Sequence, residues 1–261
     1  MPTLKTSQAL FVAWQDPVTS SYHPVGRLAN GNESEGSQYE FVYTHGAKEA
    51  EKHGFRTFLG FNEFDRVYKS STLFPFFANR IMSRSRPDFA AHISWLGLTD
   101  ATANEMTTLA RSGGVRATDS LELFQLPTPV SGSGHFESLF MVHRVRHLGP
   151  IEQKRILTLQ PGEQLSHEHE ETNPVDINAM RLWTKDDVHV GYMPRYLSKD
   201  ACHLLYNCES FEVFVEKVNP SPAPVQQRLL CRLVSCWPAD FKPCAEPTFQ
   251  PIPTNATSLC D

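Results

Sequence analysis

The stretch His167-Glu168-His169-Glu170-Glu171 is the most metal-like cluster in the sequence. On a β-strand alternate residues share a face, so His167, His169 and Glu171 would present two imidazoles and a carboxylate together. Such a set can hold a divalent ion and activate water, the chemistry of a metal-dependent hydrolase. Spacing places no further ligand beside it, and a solvated polar strand edge accounts for the same residues; no metal and no cofactor are therefore expected. A second candidate lies between Arg66 and Arg86, where Arg66, Lys69, Arg80, Arg84 and Arg86 occur without an intervening acid and alternate with Tyr68, Phe74, Phe76 and Phe77. Cations interleaved with aromatics can track a phosphate backbone. Phe76 and Phe77, however, fall at core spacing with Leu73 and Ile81, which leaves Arg80, Arg84 and Arg86 as a basic helix face suited to a protein partner.

Other reaction classes need spacings that the sequence lacks. It contains no G-x-x-x-x-G-K-[ST] loop, no G-x-G-x-x-G after a strand, no H-E-x-x-H and no G-x-S-x-G elbow. Ser131-Gly132-Ser133-Gly134 mimics a glycine-rich loop but stands behind Pro127 and Pro129, which reads as a linker. The chain is expected not to be an enzyme.

The elements that would position these residues fall into two regions. In the first, Leu10–Trp14, Tyr22–Leu28 and Tyr39–Tyr43 are short β-branched and aromatic runs, predicted as strands of a small antiparallel sheet, and Leu121–Phe124 returns to a strand. Helical spacing runs from Leu73 to Ile81. Further helix starts are predicted at Ser85-Arg86-Pro87-Asp88 and, as a capping box, at Thr102-Ala103-Asn104-Glu105, the latter stopping at Gly113-Gly114. The second region predicts six strands, Phe136–Arg146, Glu163–Glu168, Ala179–Trp183, Val188–Tyr192, Phe211–Val218 and Leu229–Trp237, with one helix at Arg195–Tyr206. Six strands and a helix in so short a stretch suggest a small barrel. The fold class is α+β, with a first domain over 8–126, a linker over 127–135, the barrel over 136–240 and a Pro-rich tail over 241–261 extended on the surface.

Composition agrees with two soluble globular modules. The 261 residues are 40% hydrophobic and 20% charged, with a net charge of −5, which excludes a protein that coats nucleic acid by bulk charge but leaves room for a small local site. No apolar run is long enough to cross a bilayer and no apolar segment follows the N-terminal charge, so no membrane association and a cytoplasmic location are expected. Six cysteines, Cys202, Cys208, Cys231, Cys236, Cys244 and Cys260, contain no C-x-x-C pair and read as reduced, mostly buried thiols.

One segment is more specific. Asn173-Pro174-Val175-Asp176-Ile177-Asn178-Ala179-Met180-Arg181-Leu182 is followed by Val190-Gly191-Tyr192-Met193-Pro194-Arg195-Tyr196-Leu197. This pair resembles the HIRAN domain, whose members carry N-P-x-D-x-N-A-[IV] and then a V-G-[YH]-[IL] strand entering a helix; the resemblance covers about 136–240. It implies a modified OB-like barrel that captures the 3′ end of single-stranded DNA. On that resemblance Asp176 accepts a hydrogen bond from the terminal 3′ hydroxyl, Arg195 contacts phosphate, Arg146-His147 supply a basic residue and a stacking ring from the preceding strand, and Tyr192 occupies an imidazole position. Val175 stands where DNA-capturing members present a stacking tyrosine, a loss that would weaken binding by about ten- to a hundredfold at ~1–3 kcal/mol per stacked base. The bare residues also have a structural reading, in which Asn173-Pro174 makes a turn that Asp176 and Asn178 satisfy.

The first region resembles, more distantly, the small N-terminal subdomain of HipA-type kinases through Val25-Gly26-Arg27-Leu28, Tyr39–Tyr43, Leu73–Arg80 and Leu109–Gly114. No kinase core follows, and Arg80-Ile81-Met82-Ser83 replaces that family's L-L-P-E. The resemblance implies a surface for a protein partner, not phosphoryl transfer. The expected function is a non-catalytic adaptor that captures single-stranded DNA 3′ ends through Arg146, His147, Asp176, Tyr192 and Arg195; the alternative is a protein–protein regulator of a kinase or toxin in which the barrel is structural.

Overall fold

The structure is a computed structural model, and it describes residues 9–30, 38–130 and 134–253. Its contacts divide the chain into two compact units. The first takes its described residues from within Met1–Arg84, Asn104–Leu126 and Cys244–Asp261; the second takes them from Ser85–Ala103 and Pro127–Pro243.

In the first unit, strands β1 (Ala9–Gln15), β2 (Tyr22–Asn30), β3 (Tyr39–Tyr43), β4 (Tyr68–Ser70) and β5 (Leu121–Gln125) form an antiparallel sheet in the order β4-β3-β2-β1-β5. The expected strands are present, together with the short β4 and with helix α1 (His45–Glu51), which sequence spacing did not reveal. Aromatic side chains dominate the core. Phe41 packs against Tyr43, Phe61 and Phe77, with ring centroids 5.1, 4.5 and 5.5 Å away.

The helix expected over 73–81 is only α2 (Pro75–Ala78), a single turn. Arg80, Arg84 and Arg86 therefore lie beyond it and do not share a helix face. Arg80 is turned inward, with 2% of its side chain exposed, where it pairs with Asp119 at 2.6 Å, donates to the Gly114 carbonyl at 2.9 Å and stacks on Phe76. Arg86 is exposed and pairs with Asp88 at 2.9 Å. That pair replaces the expected cap on α3 (Phe89–Trp95), whose Asp88 N-cap makes no side-chain cap bond. In α4 (Glu105–Ser112) the capping box forms two residues later than expected, between Asn104 and Thr107, and the helix ends on Gly113 at φ 70°.

The second unit contains β6 (Phe136–Met141), α5 (Pro150–Ile156), β7 (Gln164–His169), β8 (Met180–Trp183), β9 (His189–Tyr192), α6 (Arg195–Asn207), β10 (Phe211–Val218) and β11 (Leu229–Ser235), beside α3. All strands pair antiparallel in the order β6-β11-β10-β7-β8-β9. The sheet curls into a half-barrel, and its two ends meet: His143, just past β6, bridges Tyr192 on β9 through amide-to-carbonyl bonds of 2.9 and 3.1 Å. Gly191 permits this closure, since a Cβ there would lie 2.5 Å from the His143 carbonyl oxygen. Phe136, Phe140, Leu165, Met180, Leu182, Val190, Val213 and Leu233 fill the interior.

Three expectations need correction here. Arg146 and His147 are not on a strand; Val145–His147 is a 3-10 turn after Arg144, which takes φ 69°. Nor are the cysteines all thiols, because Cys208, at the end of α6, and Cys236, after β11, form a disulfide. Cys202, Cys231 and Cys244 are buried and free. The tail is also not spread over the surface throughout: Phe241 is buried in the second unit, while Phe249 packs on Phe11 and Ile252 donates its amide to the Tyr43 carbonyl in the first. Residues 131–133 of the expected linker, 254–261 of the tail and Cys260 lie outside the described residues.

Candidate nucleic-acid interface

The loop Asn173–Asn178 is organised by its own polar side chains. The Asn173 carboxamide oxygen accepts from the amides of Val175 and Asp176 at 3.0 and 3.1 Å, and Asp176 Oδ1 accepts from the Asn178 amide at 3.0 Å. These are Asx-type turns, the reason this residue pattern can hold a tight loop without a ladder. The loop is fastened along α6. Arg195, at the start of the helix, donates to the Val175 carbonyl and places Nε 3.7 Å from Asp176 Oδ2. One face further on, the buried Cys202 thiol meets the Asn178 carbonyl at 3.5 Å; burial, with the charge of Asp176, pushes that thiol up to about 11.

Asp176 and Arg195 thus stand together at the surface with 16% and 22% of their side chains exposed. Val175 and Ile177 flank them and are exposed. Tyr192 joins the same network through residues that sequence reasoning did not single out. Its hydroxyl donates to Glu170 Oε2 at 3.0 Å, and the same oxygen accepts from Asn173 Nδ2 at 2.9 Å. Arg181 donates to the Tyr192 hydroxyl at 3.1 Å and pairs with Glu170. The Asn173 amide, with the Tyr192 hydroxyl and Arg181, holds the Glu170 carboxyl below its ordinary range. The available signal for Arg181 was hairpin register, since Arg181 lies directly across from Tyr192; for Glu170 it was the bend where the histidine-rich strand ends.

Arg146 and His147 are on a different turn. Both are exposed, and Arg146 Nε lies 3.0 Å from His147 Nε2. The chain reaches them from Tyr192 by way of the bridge to His143, so they stand on the neighbouring edge rather than in the Asp176 network.

The histidine cluster does not form a metal site. His169 uses both ring nitrogens, with Nε2 on the Ile177 carbonyl and Nδ1 on the Tyr206 hydroxyl, each at 2.8 Å. The His167 ring packs on Phe211 at 4.7 Å, and burial depresses its pKa. Among the described residues no group of three or more His, Cys, Asp or Glu side chains could hold a metal ion. No helix among them is long and apolar enough to cross a membrane.

The HIRAN domain family matches residues 144–235, the segment that carries this loop, the hairpin and α6. This chain contains a HIRAN domain there. Among solved structures it is similar to a protein from Lactobacillus plantarum, at 23% identity over 39% of this chain and 97% of the other, with a TM-score of 0.31. It is similar also to the HIRAN domain of human HLTF, at 13% identity over 39% of this chain and 74% of the other, with a TM-score of 0.29. No curated protein matches the chain. The resemblance of the first region to the HipA subdomain receives no support from these comparisons.

Proposed function

We propose that the HIRAN domain of this chain captures the 3′-hydroxyl end of single-stranded DNA and that the protein serves as a non-catalytic adaptor. The observation that carries the reading is the pairing of a half-buried carboxylate, Asp176, on a loop prefolded by Asn173, with Arg195 at the start of α6, inside the matched domain. A carboxylate accepts from a hydroxyl and repels a terminal phosphate, while the guanidinium beside it attracts the preceding phosphate of the strand. Asp176 Oδ2 faces Arg195, whereas Oδ1 is engaged by the Asn178 amide, so Oδ2 is the acceptor this reading assigns to the hydroxyl. Arg146 and His147, on the adjoining edge, would meet the strand further from its end.

The test is a binding titration of the full chain with oligonucleotides that differ only at their termini. Two unit charges about 4 Å apart repel by roughly 4 kcal/mol at an effective dielectric near 20. Solvent and salt screen most of this, and the expected penalty for a 3′ phosphate is about tenfold or more. Asp176→Asn should narrow that gap while weakening the hydroxyl end only modestly, and a blocked 5′ end should change little. Equal affinity of the wild-type protein for both 3′ termini refutes end recognition.

A further inference from the structure

We propose that the outer face of the β8–β9 hairpin is a base-stacking platform, formed by Trp183, His189, Tyr192 and the Arg181 guanidinium, that holds nucleobases adjacent to the captured end. The proposal rests on the single-strand reading above and adds a subsite to it. Register sets Arg181 across from Tyr192 and Trp183 across from His189. Met180, Leu182 and Val190 turn into the core; the register shift between Leu182 and Trp183 breaks the alternation of β9, so that both His189 and Tyr192 join Arg181 and Trp183 on the other face. Arg181 and Trp183 are about 6.7 Å apart along β8 at the usual rise per residue.

These side chains form one contiguous cluster, with the Trp183 and His189 rings tilted by 46° and those of His189 and Tyr192 by 85°. Trp183 and His189 ring centroids are 5.1 Å apart, those of His189 and Tyr192 are 5.2 Å apart, and the Arg181 guanidinium carbon lies 5.6 Å from the Trp183 ring and 5.7 Å from the Tyr192 ring. All four are part-exposed rather than buried. Indole, imidazole, phenol and guanidinium planes each stack on a base whatever its identity. Burial, with Arg181 nearby, lowers the His189 pKa.

Position makes a nucleobase of the same strand the fitting occupant. From Tyr192 the hydrogen bonds run through Glu170 to Asn173, whose oxygen holds the amides of Val175 and Asp176, so the platform adjoins the end-binding loop. Val175 offers no ring, and the platform supplies the stacking that the loop lacks. Glu168, 57% exposed and accepting from Trp183 Nε1 at 3.3 Å, places negative charge beside the indole. Phosphates are thereby turned away, and the contact is with bases.

That arrangement has a signature that a phosphate contact lacks. Trp183→Leu, which keeps apolar bulk over the hairpin, should weaken binding of a 3′-hydroxyl oligothymidylate by about tenfold. Its salt slope and its preference for a 3′ hydroxyl over a 3′ phosphate should be unchanged, because a lost phosphate contact would instead lower the slope by about 0.7. Trp183→Phe retains a ring and should bind nearly as the wild type, yet lose the fluorescence quenching that the oligonucleotide produces in the wild type. Wild-type affinity in Trp183→Leu, or quenching that persists in Trp183→Phe, overturns the platform alone. A wild-type protein that binds no oligonucleotide overturns the single-strand reading and the platform with it.

Discussion

Closure of the half-barrel depends on a glycine, and replacing it should open the edge on which Tyr192 sits. Gly191 takes φ 127°, and a Cβ on it would come within 2.5 Å of the His143 carbonyl oxygen and 2.6 Å of Val142 Cγ1. The backbone conformation alone costs an L-residue about 1–3 kcal/mol. The contact with Val142 can be relieved by a side-chain shift, but the carbonyl is backbone and accepts from the Tyr192 amide, so it moves only if the bridge breaks. Crowding of this kind adds about 1–3 kcal/mol, giving a total of about 2–6 kcal/mol for Gly191→Ala. Native-state hydrogen exchange reads this locally: protection of the His143 and Tyr192 amides should fall at least about thirtyfold, the equivalent of ~2 kcal/mol. Gly162→Ala is the control, because Gly162 has φ 84° with nothing within 4 Å of the added carbon, and it reports strain without crowding. If Gly191→Ala leaves both amides protected within about threefold of wild type, the bridge does not close the sheet as described.

Two further outcomes follow from side-chain pairs in the same unit. Glu170 has a folded-state pKa below its ordinary value, so its contribution is full above about pH 5 and disappears as pH falls through the carboxylate range; Glu170→Gln should lower stability to urea by about 1–3 kcal/mol at pH 7, with the difference from wild type shrinking toward pH 3.5, and a gap that widens in acid contradicts the assignment. Reduction of Cys208–Cys236, which closes a loop of sequence separation 28, should cost about 3–4 kcal/mol on a chain-entropy account; thiol titration of the denatured, unreduced protein should find two fewer thiols than the six cysteines in the sequence, and six reactive thiols would refute the bond.

Strands with clean alternation were legible from sequence. β10 begins and ends where its pattern predicts, since Phe211, Val213 and Val215 point inward while Glu212, Phe214 and Glu216 do not. Helix α5 was hidden because Gly149-Pro150 reads as a break, whereas Pro150 occupies the first helical turn, where a missing amide costs nothing. Its anchorage is equally remote: Arg155 pairs with Asp186 and Glu163, at 2.8 and 3.1 Å. Distance along the chain also explains the error at Arg80, whose partner Asp119 is 39 residues away and invisible to any local count of charges. At the candidate site Asp176 and Arg195 could be named from a motif, but Glu170 and Arg181 could not, because their importance arises only when β7, β8 and β9 are folded side by side.

The two units draw on interleaved stretches of the chain, and this sets an order of completion during synthesis. α3 precedes most of the second unit in sequence by some forty residues or more, yet its carbonyl ends and hydroxyl are met by Lys217 and Asn219, at 2.8 Å for both Ser94 Oγ and the Trp95 carbonyl. The first unit in turn receives Gln250, Pro251 and Ile252 against Tyr43, Thr44 and His45. A nascent chain can therefore pair its first sheet early, but it completes the first unit only after the half-barrel has emerged. A stalled ribosome carrying residues 1–240 would display an unfinished first unit, which makes the last ten described residues the fastening stitch of the segment made first.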